Sequence, residues 1–194
     1  IKGFSEAKKI LKEIKPDALL IGEVWEDASN KISYGNRRKY LLGDELDSVM
    51  NYPFADAVIN FIESGNSQDF VNVVQNIIEN YPSESVACLM NHIGTHDTMR
   101  IITRLSADNP HIKDRNAQSK IVLSQEQRNK GIKKVMIAAV LQYTLPGVPS
   151  LYYGDEIGLE GYGDPFCRGT FDWSKTKSEL TEFYKKLGSL RRKT

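Results

Sequence analysis

The sequence predicts an α/β fold, with buried strands alternating with helices. Three observations carry it. Short continuous apolar runs have the length of strands buried on both faces. Longer segments between them repeat their apolar residues at helical spacing. A cluster of polar residues follows each apolar run.

The elements follow in order along the 194 residues. Phe4, Ala7, Ile10, Leu11 and Ile14 recur at helical spacing, with Ser5 as the expected cap and Pro16 after the last turn. Ala18–Gly22 reads as a first strand and Leu46–Tyr52 as a second. Helices are expected over Phe54–Glu63 and Gln68–Asn80, the latter closed by Pro82. Val86–Asn91 reads as a third strand, with Cys88 as a buried thiol inside it. The stretch from Ser106 to Gln125 is a polar excursion. Glu126–Leu145 is the strongest helix, with Ile132, Val135, Met136, Ala139, Val140 and Tyr143 as its apolar stripe. Gly147–Tyr153 reads as a fourth strand. Ser178–Lys193 closes the chain as an amphipathic helix carrying Leu180, Phe183, Tyr184, Leu187 and Leu190. Alternation of this kind implies a parallel sheet with helical crossovers. Four units are too few to close a (β/α)8 barrel of ~250 residues. A small open sheet and a part of a barrel both fit, and topology alone does not choose. No internal repeat or low-complexity linker marks a second domain.

Composition narrows the function. A chain with 40% hydrophobic and 26% charged residues and a net charge of +1 can bury a core. That balance argues against a nucleic-acid partner or an anionic membrane surface. Arg37-Arg38-Lys39 and Arg191-Arg192-Lys193 are short enough to be solvated helix faces or ends. No apolar run approaches the ~18–20 residues of a bilayer span. Cys88 and Cys167 are too few for a disulfide framework and sit in no metal-type spacing, though the sequence leaves their pairing open. No signal peptide is visible; in a complete protein that would favour the cytoplasm, whereas in a fragment it means little.

The strand ends hold the chemistry. Glu23, Asn51-Tyr52, Asn91 to Asp97, and Tyr152 to Glu156 follow the four predicted strands. Active sites of α/β barrels form at that face. Glu23 lies two residues from Trp25, and a carboxyl partly desolvated beside an indole is favoured in its neutral, proton-donating form. Two carboxylates, Glu23 and Asp97, are the minimum that glycosidic chemistry requires. A surface salt bridge is the alternative for Glu23, and a helix cap over Thr98–Leu105 the alternative for Asp97. His92 and His96 stand four apart, but Gly94 lies between them and no Glu follows His92, so no metal site is expected. Asp164 and Arg168, in a glycine-rich loop, can pair with each other or bind sugar hydroxyls. Trp25, Tyr52, Tyr152, Tyr153 and Trp173 can stack on sugar rings or serve as core and wall.

Five segments together resemble the α-amylase family of glycoside hydrolases. They are Gly22-Glu23-Val24-Trp25; Met50-Asn51-Tyr52-Pro53; Gly94-Thr95-His96-Asp97-Thr98-x-Arg100; Gly147-Val148-Pro149 with Tyr152-Tyr153-Gly154-Asp155-Glu156; and Asp164-Pro165-x-Cys167-Arg168. They are most similar to the neopullulanase and cyclomaltodextrinase branch, and the similarity runs from about Lys15 to Trp173. The resemblance implies a partial (β/α)8 TIM barrel in which the strands are the fifth to eighth with their helices. Residues 1–194 would then be a single, incomplete domain, the C-terminal half of the catalytic barrel. It implies retaining hydrolysis of α-glucosidic bonds in starch-type oligosaccharides. Glu23 matches the general acid/base and Asp97 the carboxylate that stabilises the transition state. His96, Trp25, Asn51, Tyr52, Arg100, Asp164 and Arg168 fall at substrate-binding positions. The family's nucleophile, an Asp in a Gly-x-Arg-x-Asp segment some thirty residues before Glu23, has no counterpart here, so residues 1–194 alone are expected to be inactive.

The implied partners are an α-glucan, the missing N-terminal half of the barrel, and further copies of the chain through open strand edges. No cofactor is expected in this segment, with calcium allowed in an intact parent. Two other classes compete: a non-catalytic carbohydrate-binding or scaffold module of the same fold, and an unrelated metal-dependent hydrolase built on His92 and His96.

Overall fold

The computed structural model describes residues 2–33 and 35–193. The chain falls into two compact units. One comprises Ile1–Ala57, Asn66–Asn91 and Pro146–Pro149; the other comprises Val58–Gly65, His92–Leu145 and Ser150–Thr194. None of the described helices is long and apolar enough to cross a membrane.

The first unit opens with α1 (Lys2–Ile14) and β1 (Ile21–Gly22), followed by a hairpin of β2 (Ile32–Ser33) and β3 (Asn36–Arg37). Next come β4 (Ser48–Val49) and the start of α2 (Tyr52–Ser64). It is completed by α3 (Ser67–Asn80), α4 (Ser83–Ala87), β5 (Met90–Asn91) and β6 (Val148–Pro149). β1 pairs parallel with β4, a parallel bridge joins Met50 to Met90, and β5 pairs parallel with β6. Four segments therefore run side by side in chain order, as consecutive elements usually do. Val49, Phe54 and Leu89, each at most 2% exposed, lie in or near these segments.

Close packing sets where the strands end. A Cβ on Gly22 would lie 2.3 Å from a Leu46 methyl, so only glycine lets β1 run flush into Glu23. Gly147 has φ +115°, and a Cβ there would meet the Asn91 amide and the Leu89 carbonyl at 2.7 and 2.8 Å. Beyond β4, Asn51 accepts a hydrogen bond from the Phe54 amide at 3.3 Å, capping α2, while its Nδ2 donates to Asn91 Oδ1 at 2.8 Å. Asn91 Nδ2 in turn donates to the Pro146 carbonyl at 2.8 Å.

The second unit is helical. It contains α5 (Ile101–Ser106), α6 (Arg115–Gln118), α7 (Gln125–Thr144) and α8 (Glu179–Arg191), with three short 3-10 turns between α7 and α8. Ser124 and Gln127 form a reciprocal capping box at the start of α7, and the Ser178 side chain caps α8 at the Thr181 amide. α7 packs against both α5 and α8.

Several expectations are corrected. Ser5 lies inside α1 rather than capping it. Phe4, Ile10 and Ile14 of its apolar stripe are 48%, 51% and 79% exposed; the helix is held instead by Lys8 and Lys12 on Asp47. The Ala18–Gly22 run is not buried on both faces: Leu19 is 52% exposed and the other four residues are half-buried. The strand expected over Val86–Asn91 begins as α4 after Pro82, and only Met90–Asn91 is extended; Cys88 ends that helix half-buried. The second and fourth strands are two residues each, and Pro149 lacks the N–H that would prolong the last. Both cysteines are free thiols.

The buried face of α7 is Gly131, Val135, Ala138, Ala139 and Gln142, rotated from the predicted stripe. A Cβ on Gly131 would come within 2.8 Å of Ser106 and Ile102 side-chain atoms, so small residues let α5 approach closely. On α8, Leu180, Tyr184 and Leu187 are buried as expected, and Leu190 is exposed. The β2–β3 hairpin was not expected; Gly35, at φ +72°, is its sequence signal.

Replacing Asn51 with Ala removes the α2 cap and leaves Asn91 Oδ1 without its donor, which costs about 2–3 kcal/mol. Asn51→Asp keeps the cap acceptor and loses less. Urea unfolding checks both, and an Asn51→Ala midpoint equal to the parent's would remove Asn51 from this role.

His92, just after β5, is 1% exposed, and burial lowers its pKa from 6.5 to about 4. Below pH 6.5 the unfolded chain takes up a proton that the folded chain refuses. Stability from this group is therefore lost as pH falls from about 6.5 towards 4, on the order of 3 kcal/mol in all. The gap between wild-type and His92→Leu urea midpoints should change across that window and stay flat above pH 7.

Candidate active site

Glu23 is the first residue beyond β1 and is exposed to solvent. The desolvation expected from Trp25 is not what surrounds it. Its defined partner is Tyr52, whose hydroxyl donates to Glu23 Oε1 at 3.0 Å. Trp25 lies instead on the Tyr52 ring, with centroids 4.0 Å apart and planes 18° from parallel. The reason is local geometry. β1 and β4 are parallel neighbours in register Gly22–Val49, so the residues just past their ends fall side by side. Tyr52 opens α2 and is only 3% exposed, while Trp25 is 50% exposed and covers it. Asn51, 2% exposed, spends its side chain on the α2 cap and on Asn91, inside the first unit.

A second cluster lies within the other unit. His96 Nε2 is 3.2 Å from Asp97 Oδ2, and Arg168 Nη2 donates to Asp97 Oδ1 at 3.0 Å. Arg168 Nε also reaches Asp164 Oδ1 at 2.5 Å, so one guanidinium joins two carboxylates. All four side chains are 37–52% exposed, which leaves them accessible to a ligand. Asp97 does not start a helix: Arg100 precedes α5, and the Asp97 amide donates to Thr95 Oγ1 at 3.3 Å.

Two backbone tethers fix the loop bearing Asp164 and Arg168. Cys167 Sγ donates to the His96 carbonyl at 3.0 Å, and the Arg100 amide donates to the Gly161 carbonyl at 2.9 Å. Burial, then the Asp164 carboxylate, pushes the Cys167 thiol up, keeping it a protonated donor.

Arg100 is corrected from a sugar contact to an internal support. Its side chain is fully buried. Nη1 donates to Asp155 Oδ1 at 3.3 Å and to the Tyr153 carbonyl, and the guanidinium lies 4.2 Å and 4.5 Å from the Tyr152 and Tyr153 ring centroids. Burial pushes the Asp155 carboxyl up, and Arg100 works against that shift. Gly94 makes room for the pair, since a Cβ there would sit 2.5 Å from Asp155 Oδ2. Sequence reasoning placed Asp155 in a motif but missed its partnership with Arg100. The signal in the sequence was weak: Asp155 follows the fourth predicted strand closely, but Arg100 lies well beyond the end of the third.

Breaking this pair from one side leaves a buried charge uncompensated. Arg100→Leu and Asp155→Leu should each cost about 3–5 kcal/mol, and the double variant markedly less than their sum. A double-mutant cycle by urea unfolding measures this, and additive losses would refute the coupling.

The chain is similar to known proteins along nearly its whole length. The family described as "Alpha amylase, catalytic domain" matches residues 2–193. An amylopullulanase from Thermoanaerobacter thermohydrosulfuricus is 38% identical over 194 residues, covering 93% of this chain and 12% of that protein. A cyclomaltodextrinase from Geobacillus thermopakistaniensis is 32% identical over 193 residues, covering 97% of this chain and 27% of its own length. A solved cyclomaltodextrinase structure superposes with a TM-score of 0.76 at 30% identity, over 98% of this chain and 28% of that one. The chain thus spans well under a third of these relatives. With an α/β architecture shared with them and a match over nearly its whole length, the chain belongs to the α-amylase catalytic-domain family.

Proposed function

We propose that residues 1–194 are the C-terminal half of a glycosidase (β/α)8 barrel, with β1, β4, β5 and β6 as its fifth to eighth strands. In this reading the segment supplies the proton donor for retaining hydrolysis of α-glucosidic bonds in starch-type oligosaccharides. The observation that carries it is Glu23, standing at the end of a parallel strand with one carboxylate oxygen held by Tyr52. The amylopullulanase and cyclomaltodextrinase relatives support the substrate class.

Glu23 protonates the glycosidic oxygen as the C–O bond breaks, and the sugar passes to a nucleophilic carboxylate outside these residues. Glu23, now ionised, takes a proton from the water that releases the sugar. Asp97 and His96 hydrogen-bond the sugar hydroxyls and hold the distorted ring, while Asp164 and Arg168 border the same subsite. Trp25 offers an exposed indole for stacking on a neighbouring glucose. The uncovered apolar residues Phe4, Ile10, Ile14 and Leu19 support a further half that packs against this one.

The isolated chain should show no turnover of maltotriose, cyclodextrin or pullulan above a Glu23→Gln control. Joined to the nucleophile-bearing half, it should hydrolyse them, and Glu23→Gln should then lower kcat/KM roughly 10²–10⁴-fold. Turnover by the isolated wild-type chain above its control would overturn the reading.

A further inference from the structure

We propose that Tyr52 is a positioning residue for the proton donor: its phenol fixes which oxygen of Glu23 carries the proton, and Trp25 locks the phenol in place. The inference rests on the reading of Glu23 as acid/base. It goes beyond that reading, because Tyr52 then acts through Glu23 rather than as a wall of the sugar site.

The geometry makes the roles separable. The Tyr52 ring is 3% exposed, so little of it is offered to a ligand. Its hydroxyl donates to Oε1 of Glu23 at 3.0 Å, and Oε2 has no partner among the described residues. A carboxylic acid accepts a hydrogen bond better at its carbonyl oxygen than at its hydroxyl oxygen, so a donor fixed at one oxygen favours the proton on the other. Oε1 is therefore the anchored oxygen and Oε2 the delivering one.

The ring has little freedom. Tyr52 is the first residue of α2, its backbone held by the Asn51 cap, and its amide donates to the Met50 carbonyl at 3.1 Å. The indole of Trp25 stacks on it at 4.0 Å. Trp25 sits two residues after Glu23, so the segment that carries the acid also carries the clamp on its partner. A side chain fixed this way loses little entropy when it orients a carboxyl, and a small misplacement of the reacting group is costly to rate.

The test separates positioning from simple contact by varying the leaving group. It uses the enzyme containing residues 1–194 together with its nucleophile-bearing half. A glucosyl leaving group needs a proton to depart, whereas 2,4-dinitrophenolate leaves without one. Tyr52→Phe keeps the ring and its stack on Trp25. It should lower kcat/KM for cyclodextrin roughly 10–100-fold, the worth of one hydrogen bond to a charged group. For 2,4-dinitrophenyl α-maltoside the loss should stay under about threefold. The ratio of the two losses is independent of how much of the variant is folded.

Glu23→Gln, measured alongside, keeps the two ideas apart. If Glu23→Gln is selective for cyclodextrin and Tyr52→Phe is selective too, the inference stands. If Glu23→Gln is selective but Tyr52→Phe harms both substrates equally, or neither, Tyr52 is not a positioning residue. If Glu23→Gln itself is not selective, the acid assignment fails and this inference falls with it.

Discussion

Two side-chain amides hold the strand ends of the first unit level. Asn51 donates to Asn91, and Asn91 donates to the Pro146 carbonyl, so the exits of β4 and β5 and the entry to β6 are tied in a row. Backbone ladders could not do this alone, because each named strand contributes only two residues. The amides are buried, where a hydrogen bond resists competition from water. Asn51 also caps α2, which fixes the direction in which Tyr52 leaves the strand. The environment of Glu23 thus traces back, one residue at a time, to a buried amide.

The second unit solves a similar problem with charge. His96, Asp97 and Arg168 are exposed and mutually paired, an arrangement that would wander on an unsupported loop. Beneath them the buried Arg100–Asp155 pair, roofed by Tyr152 and Tyr153, gives the segment a rigid floor. Cys167 adds a neutral tether to the His96 carbonyl. Arg168 is the contact between loop and carboxylate that water can reach. A ligand approaching Asp97 would therefore compete with Arg168 rather than with the buried framework.

Much of this was legible in the sequence, and each failure has its own physical cause. Alternation of apolar runs with helical periodicity located α2, α3, α7 and α8 to within a few residues. The polar residues after each run marked Glu23, Asn51 and His96-Asp97 before any geometry was known. Strand lengths were overestimated because an apolar run reports burial, whereas pairing depends on a neighbour's register. The α7 face was misjudged because close helix packing selects Gly131, Ala138 and Ala139, residues that contribute little to an apolar stripe. Arg100 was misread because a family motif locates a charge without saying which way it points. Its partner lies 55 positions away, a separation that no local pattern records.

The hydrogen bond between Tyr52 and Glu23 joins residues 29 positions apart, with the β2–β3 hairpin inside the loop it closes. The pair exists only once β1 and β4 have found their register. Closing a loop of that length carries an entropic cost that must be met before any local reward. During synthesis the carboxylate therefore emerges well before the phenol that bonds it. A nascent or partly unfolded chain would carry the glutamate without its phenol partner, so the surroundings of Glu23 belong to the paired strands and not to the local sequence.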